Sequence, residues 1–216
     1  MKKGLVFDLD GVITDTAKFH YIAWKELGES IGIEVDLEFN EQLKGISRMD
    51  SLDRILVHGG KENDYTTEEK EEMAASKNAN YVKLLDDLTP NDLLPGVKDF
   101  LDQAKERKIP CSLASASKNA PFILKKLGVF EYFDAIVDPA TLKKGKPDPE
   151  IFIKAAELIG LDPAEAIGFE DAKAGIEGIK GANMYAIGVE GHEPLTGADM
   201  TIKSFEELDI DQLMNV

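Results

Sequence analysis

The sequence predicts an α/β protein, a doubly wound parallel sheet with a small α-helical unit inserted after its first strand. Three observations carry this. An apolar, β-prone run from Gly4 to Leu9 stops at Asp10-Gly11, as a buried strand of a parallel sheet does before a turn. From Asp15 to about Leu88, helical periodicity takes over and no convincing strand appears. Beyond Thr89-Pro90 and Pro95-Gly96, helix and strand patterns alternate, and repeated βα units imply a parallel sheet. The expected division is 1–14 with 92–216 for the α/β core and 15–91 for the helical unit. Linkers are expected near Ile13 to Thr16 and Thr89 to Pro95.

The elements follow in order. Phe19, Ile22, Ala23, Leu27 and Ile31 recur at helical spacing, and Gly32 ends that helix. Leu52, Ile55 and Leu56 predict a second helix, broken at Gly59-Gly60. The charged stretch Thr67 to Asp87 reads as a solvated helix, with Met73, Tyr81, Leu84 and Leu85 turned inward. In the core, helices are expected over Val97 to Lys108, Asn119 to Leu127, Pro149 to Ile159 and Ala172 to Lys180. Strands are expected over Cys111 to Ala114, Ala135 to Val137, Ala166 to Phe169 and Tyr185 to Gly188, with Met200 to Ile202 as a last edge strand.

Composition narrows the partners. With 216 residues and 43% hydrophobic content, the chain can build one core plus a small accessory unit. A formal net charge of -16 argues against nucleic acid and anionic membranes. It would also repel a phosphate-bearing substrate unless local cations and a metal reverse the field at the site. The one cysteine, Cys111, lies in an apolar stretch and is expected to be a buried structural thiol. The short apolar run near Met1 is interrupted by Asp8 and Asp10, unlike a leader segment. A soluble, cytoplasmic monomer is expected.

Ligands of open α/β sheets bind at the carboxyl ends of the strands. The first expected strand is followed by Asp8, Asp10, Gly11, Asp15 and Thr16. The second is followed by Ser115, Ser117, Lys118 and Asn119, and a later one by Glu170 and Asp171. Lys146 precedes the helix that opens near Pro149. Hard carboxylate oxygens suit magnesium, and a metal with lysine lets a carboxylate attack phosphorus. Ser115 and the amides opening the next helix can take phosphate oxygens, and Asp10 can move a proton. Taken singly, each residue has a bland reading: a turn aspartate, a helix cap, a loop lysine, a helix N-terminus. Their common placement at strand ends favours phosphoryl transfer.

Asp8-Leu9-Asp10-Gly11-Val12-Ile13-Thr14-Asp15-Thr16, Ser115, Lys146-Pro147 and Glu170-Asp171 resemble the four motifs of the haloacid dehalogenase superfamily. The helical insertion resembles its small cap. Lys44-Gly45-Ile46-Ser47-Arg48, Lys77-Asn78 and Ser115-Ala116-Ser117-Lys118-Asn119, with Thr16, His20 and Trp24, resemble its sugar-phosphate mutases.

The resemblance implies conversion of β-glucose 1-phosphate to glucose 6-phosphate through β-glucose 1,6-bisphosphate. Asp8 would be the nucleophile and Asp10 the general acid/base. Magnesium would meet Asp8, the Asp10 backbone carbonyl, Glu170 and Asp171. Ser115, Ala116, Ser117, Lys118, Asn119 and Lys146 would hold the transferring phosphate and sugar hydroxyls. Gly45, Ser47, Arg48 and Lys77 would hold the distal phosphate, and Thr16, His20, Trp24, Lys44 and Ser51 complete the implied substrate-binding set. From the residues alone, Arg48 reads sooner as a surface ion pair, His20 equally as a helix-surface histidine, and Trp24 sooner as packing. Two rivals share the acidic core: a phosphatase of the same superfamily, and a phospho-accepting receiver domain, which is shorter and lacks the insertion.

Overall fold

The computed structural model describes residues 1–191 and 195–216. Two compact units emerge, Met1–Asp15 with Leu88–Val216, and Thr16–Asp87. The first is built on six parallel strands: β1 (Gly4–Phe7), β2 (Cys111–Leu113), β3 (Ala135–Ile136), β4 (Ala166–Glu170), β5 (Tyr185–Val189) and β6 (Met200–Ile202). Their order is β3-β2-β1-β4-β5-β6. The order reverses at β1, so the carboxyl ends of β1, β2 and β4 meet at the switch point where such sheets bind ligands.

Alternation along the strands sorts their side chains onto two faces. Val6 faces a core shared with Ala114, Val137, Ile151, Phe152 and Ile179, several of them from α7 (Glu150–Leu158) and α8 (Lys173–Gly181). Phe7 belongs to an aromatic cluster. It stacks on its register partner Phe169 at 4.7 Å and 6°, and meets Phe133 edge-on at 5.8 Å. Phe100, from α5 (Val97–Glu106), and Phe205 complete the cluster. Phe7 and Phe169 directly precede Asp8 and Glu170, so this stack pins the register that brings the two acids together. α6 (Ala120–Lys126) follows β2.

The helical unit holds α1 (Ala17–Ser30), α2 (Leu37–Glu41), α3 (Arg48–His58) and α4 (Thr67–Leu84). Its core gathers Trp24, Ile33, Val35, Phe39, Leu52, Ile55 and Leu56. One expectation needs correction, and one short helix is added to the expected set. The buried stripe of α1 is Ala23, Trp24 and Gly28, while Ile22 is 38% exposed. The stripe turns toward Gly28 because the return segment packs there. A Cβ at residue 28 would lie 2.7 Å from the Ile33 carbonyl oxygen. The segment after Gly32 also contains the short α2, which Asp36 caps by accepting from the Phe39 amide at 2.7 Å.

A last helix, α9 (Ile210–Leu213), has too few residues to show periodicity. It is clamped by a bidentate pair, Arg107 Nε to Asp211 Oδ1 at 2.7 Å and Nη2 to Oδ2 at 2.8 Å. Among the described residues, no helix is long and apolar enough to cross a membrane.

Candidate active site

Asp8 sits one residue past β1, with its amide bonded to the Phe169 carbonyl at 3.0 Å. The β1–β4 ladder thus extends to Asp8. The chain then turns sharply, with Gly11 at φ +74 and its amide donating to the Thr14 carbonyl at 2.8 Å. Asp10 lies on this turn and is half-buried. Glycine is needed at residue 11 twice over. The φ is left-handed, and a Cβ there would fall 2.1 Å from Asp171 Oδ2.

Lys146 enters from the loop before α7, followed by a cis peptide to Pro147. Its ammonium donates to Asp8 Oδ1 at 2.7 Å and Glu170 Oε1 at 3.1 Å, all three side chains being buried. It also lies 5.0 Å from the centre of the Phe152 ring. Burial opposes the ammonium charge, but Asp8 and Glu170 overcome it and hold Lys146 above the usual lysine range. Glu170 is completely buried at the end of β4, and its Oε2 accepts from the Asp171 amide at 2.8 Å. Burial pushes its carboxyl well above the usual carboxylate range, against the pull of Lys146 and with the help of Asp8 and Asp171.

Carboxylate oxygens of Asp8, Glu170 and Asp171 lie within 4.8 Å of one another. Two of the three, Asp8 and Glu170, share the buried Lys146 ammonium. Hard oxygen donors, no soft ligand and excess negative charge fit a hard divalent cation. Ser115, at the end of β2, is 3% exposed, and its Oγ accepts from the Ser117 amide at 3.1 Å. Ala116, Ser117 and Asn119 are half-buried beyond it, and Lys118 is exposed.

The remaining candidates lie in the helical unit. Lys77 is 3% exposed. Its ammonium is 2.9 Å from His20 Nδ1, 4.3 Å from the Trp24 ring centre and 4.8 Å from that of Tyr81. His20 stacks on Tyr81 at 4.0 Å, and Tyr81 donates to Thr16 Oγ1 at 3.2 Å. Burial, then Lys77, then Arg48 push the His20 imidazole well below its ordinary value. A neutral ring is what lets Nδ1 accept from Lys77. The His20 ring resonances are therefore expected to stay constant through the pH range where an ordinary histidine titrates, near 6.5. An NMR titration checks this; a midpoint near that value would break the Lys77–His20 assignment.

Arg48 opens α3 half-buried, and among the described residues it makes no ion pair. The surface-pair reading of Arg48 therefore fails. Burial lowers the guanidinium pKa, with Tyr81 opposing, so an anion there would meet a poorly solvated cation. Other candidates have structural duties. Ser47 caps α3 by accepting from the Asp50 amide at 3.1 Å. Ser51 donates to the Ser47 carbonyl at 3.0 Å. Lys44 pairs with Glu41 at 2.7 Å, and Gly45 takes φ +72 in the loop before α3. Thr16 is fully buried, and Trp24, 3% exposed, serves as core and as a wall for the Lys77 ammonium.

A sheet whose switch point holds an aspartate, a lysine and two further acids defines a class. A model of the haloacid dehalogenase-like hydrolases matches residues 2–183, and the chain belongs to that family. The chain is 50% identical to a β-phosphoglucomutase of Bacillus subtilis (strain 168), over 98% of this chain and 93% of that one. The structure is similar to a β-phosphoglucomutase from Clostridium difficile, with a TM-score of 0.96 and 46% identity, covering 100% of this chain and 96% of that one. The family also holds phosphatases. A fructose-1-phosphate phosphatase of Escherichia coli (strain K12) is 31% identical, over 86% of this chain and 95% of its own.

Proposed function

We propose that the protein is a β-phosphoglucomutase, interconverting β-D-glucose 1-phosphate and D-glucose 6-phosphate through β-glucose 1,6-bisphosphate and a phosphorylated Asp8. The observation that carries it is the buried Lys146 holding one oxygen of Asp8 at the sheet's switch point. With Oδ1 engaged, Oδ2 attacks the phosphorus on O1 of the bisphosphate, so that glucose 6-phosphate leaves. The bond from phosphorus to the sugar oxygen breaks, and Asp10 gives that oxygen its proton. In the second transfer, Asp10 takes the proton from the 6-hydroxyl of a β-glucose 1-phosphate as that oxygen attacks the Asp8 phosphate, which frees the Asp8 carboxylate and re-forms the bisphosphate. Asp8, Glu170, Asp171 and the Asp10 carbonyl would hold magnesium, which neutralises charge on the transferring phosphoryl group. Ser115 and Lys146 bind oxygens of the same group.

A phosphatase would use the same core. The mutase reading is supported by the cationic set of the helical unit, Arg48 and Lys77 beside a neutral His20, suited to the phosphate that is not transferring. The deciding assay supplies β-glucose 1-phosphate and a trace of the bisphosphate. Glucose 6-phosphate should greatly exceed free phosphate; the reverse ratio makes the protein a phosphatase. In Arg48→Ala, kcat/KM for the mutase reaction should fall by at least ~10-fold, because a charge-assisted bond contributes roughly 1.5–3 kcal/mol. Phosphorylation of Asp8 by acetyl phosphate should continue at the wild-type rate. An equal fall in both would place Arg48 in the core chemistry or in folding.

A further inference from the structure

Three glycines lie in α8, at residues 175, 178 and 181. Glycine inside a helix costs about 0.5–1 kcal/mol relative to alanine, so each asks what approaches the backbone there. At residue 178 the neighbour is the Phe152 ring, 2.8 Å from where a Cβ would stand, and at 181 it is Pro149, at an ordinary 3.4 Å. At residue 175 the neighbour is the Glu170 side chain. A Cβ there would stand 1.7 Å from Oε1, 2.0 Å from Cδ and 2.1 Å from Cγ.

The carboxylate therefore lies flat against the bare Cα of Gly175, in the first turn of α8. The rest of its surroundings is fixed. Oε1 receives Lys146 Nζ at 3.1 Å, Oε2 receives the Asp171 amide at 2.8 Å, and the residue is wholly buried. Nor can the helix easily retreat, since the Gly175 amide donates to the Ala172 carbonyl at 3.0 Å, one residue past Asp171. A methyl group at 175 has to displace the Glu170 side chain, to which its three nearest atoms belong. That withdraws an oxygen from the cluster with Asp8 and Asp171.

We infer that Gly175 is a positioning residue for the cation site, its missing side chain holding the place that the Glu170 carboxylate occupies. This rests on the reading of Asp8, Glu170 and Asp171 as holders of magnesium. Outer-shell changes at metal sites typically cost 10–100-fold in affinity. Gly175→Ala should thus raise the Kd for Mg²⁺, measured by isothermal titration on the full chain, by about 10- to 100-fold.

The specific test is compensation. Glu170→Asp shortens the acid by one methylene and makes room for the methyl. On its own it should weaken binding, but adding Gly175→Ala to it should cost nothing more, whereas an unrelated packing defect would add its full loss. Should Gly175→Ala alone fail to fold, the double variant must still fold and bind Mg²⁺ like Glu170→Asp. Wild-type affinity in Gly175→Ala, additive losses, or an unfolded double variant would each overturn the inference. If the wild type itself binds no Mg²⁺, the metal reading falls, and the inference with it.

Discussion

Asp8→Asn is expected to abolish mutase turnover, with a loss on the order of 10⁴-fold or more, as for removal of the nucleophile of other covalent catalysts. The amide oxygen is a weak nucleophile and cannot carry a stable phosphoryl ester through the cycle. The fold should survive. Lys146 keeps Glu170 as a partner at 3.1 Å, the Asp8 amide still extends the β1–β4 ladder, and one carboxylate leaves a cluster that is short of cations. Two measurements check this together. Thermal unfolding should give a midpoint near that of the wild type. Intact mass after acetyl phosphate should show a phosphoryl group on wild type and none on the variant. Turnover near the wild-type level, with deamidation excluded by mass, would remove Asp8 as the nucleophile.

Asp10→Ala should cost roughly 10²–10⁴-fold in both transfers, the range for a positioned acid or base. The substitution keeps the backbone carbonyl, and it removes the one carboxylate on the turn at Gly11. A sugar alkoxide is a poor leaving group and needs its proton at the moment of cleavage. Acetate is a good leaving group and does not. The variant should therefore still phosphorylate Asp8 from acetyl phosphate at nearly the wild-type rate, yet pass that phosphate to glucose 1-phosphate slowly in a single turnover. Unchanged single-turnover transfer would reject the acid/base role. Equal losses with both donors would mean that Asp10 acts on the geometry of Asp8 instead.

How much was legible in the sequence depended on whether the determining contact was local. The strand ends at Asp8, Ser115 and Glu170 could be read because a short apolar run followed by turn residues is a local signal. A doubly wound parallel sheet follows from the alternation of elements, but its strand order came only with the structure. The stripe of α1 was misplaced because Ile22 and Trp24 both fit an apolar face. Only the packing of residues 33–35 against Gly28 chooses between them. Gly175 was missed for the same reason: its partner is the Glu170 carboxylate, across a turn whose shape no residue spacing reveals. A glycine inside a predicted helix was the available hint. Arg48 could not be separated from a surface ion pair until it was seen to make none among the described residues.

The place of β1 in the sheet bears on how the chain assembles. This strand precedes both of its partners in the chain, pairing with residues 111–113 on one side and 166–169 on the other. Until those arrive from the ribosome, its four apolar residues have no ladder to join, and loop closure over such separations is slow. Residues 16–87 are different, since their contacts close within one stretch of chain. The helical unit can fold while the rest is still being synthesised. Asp8 can meet both Lys146 and Glu170 only after residue 170 has been made. A chain that stops short of residue 146 therefore carries the whole helical unit and an Asp8 still without its lysine.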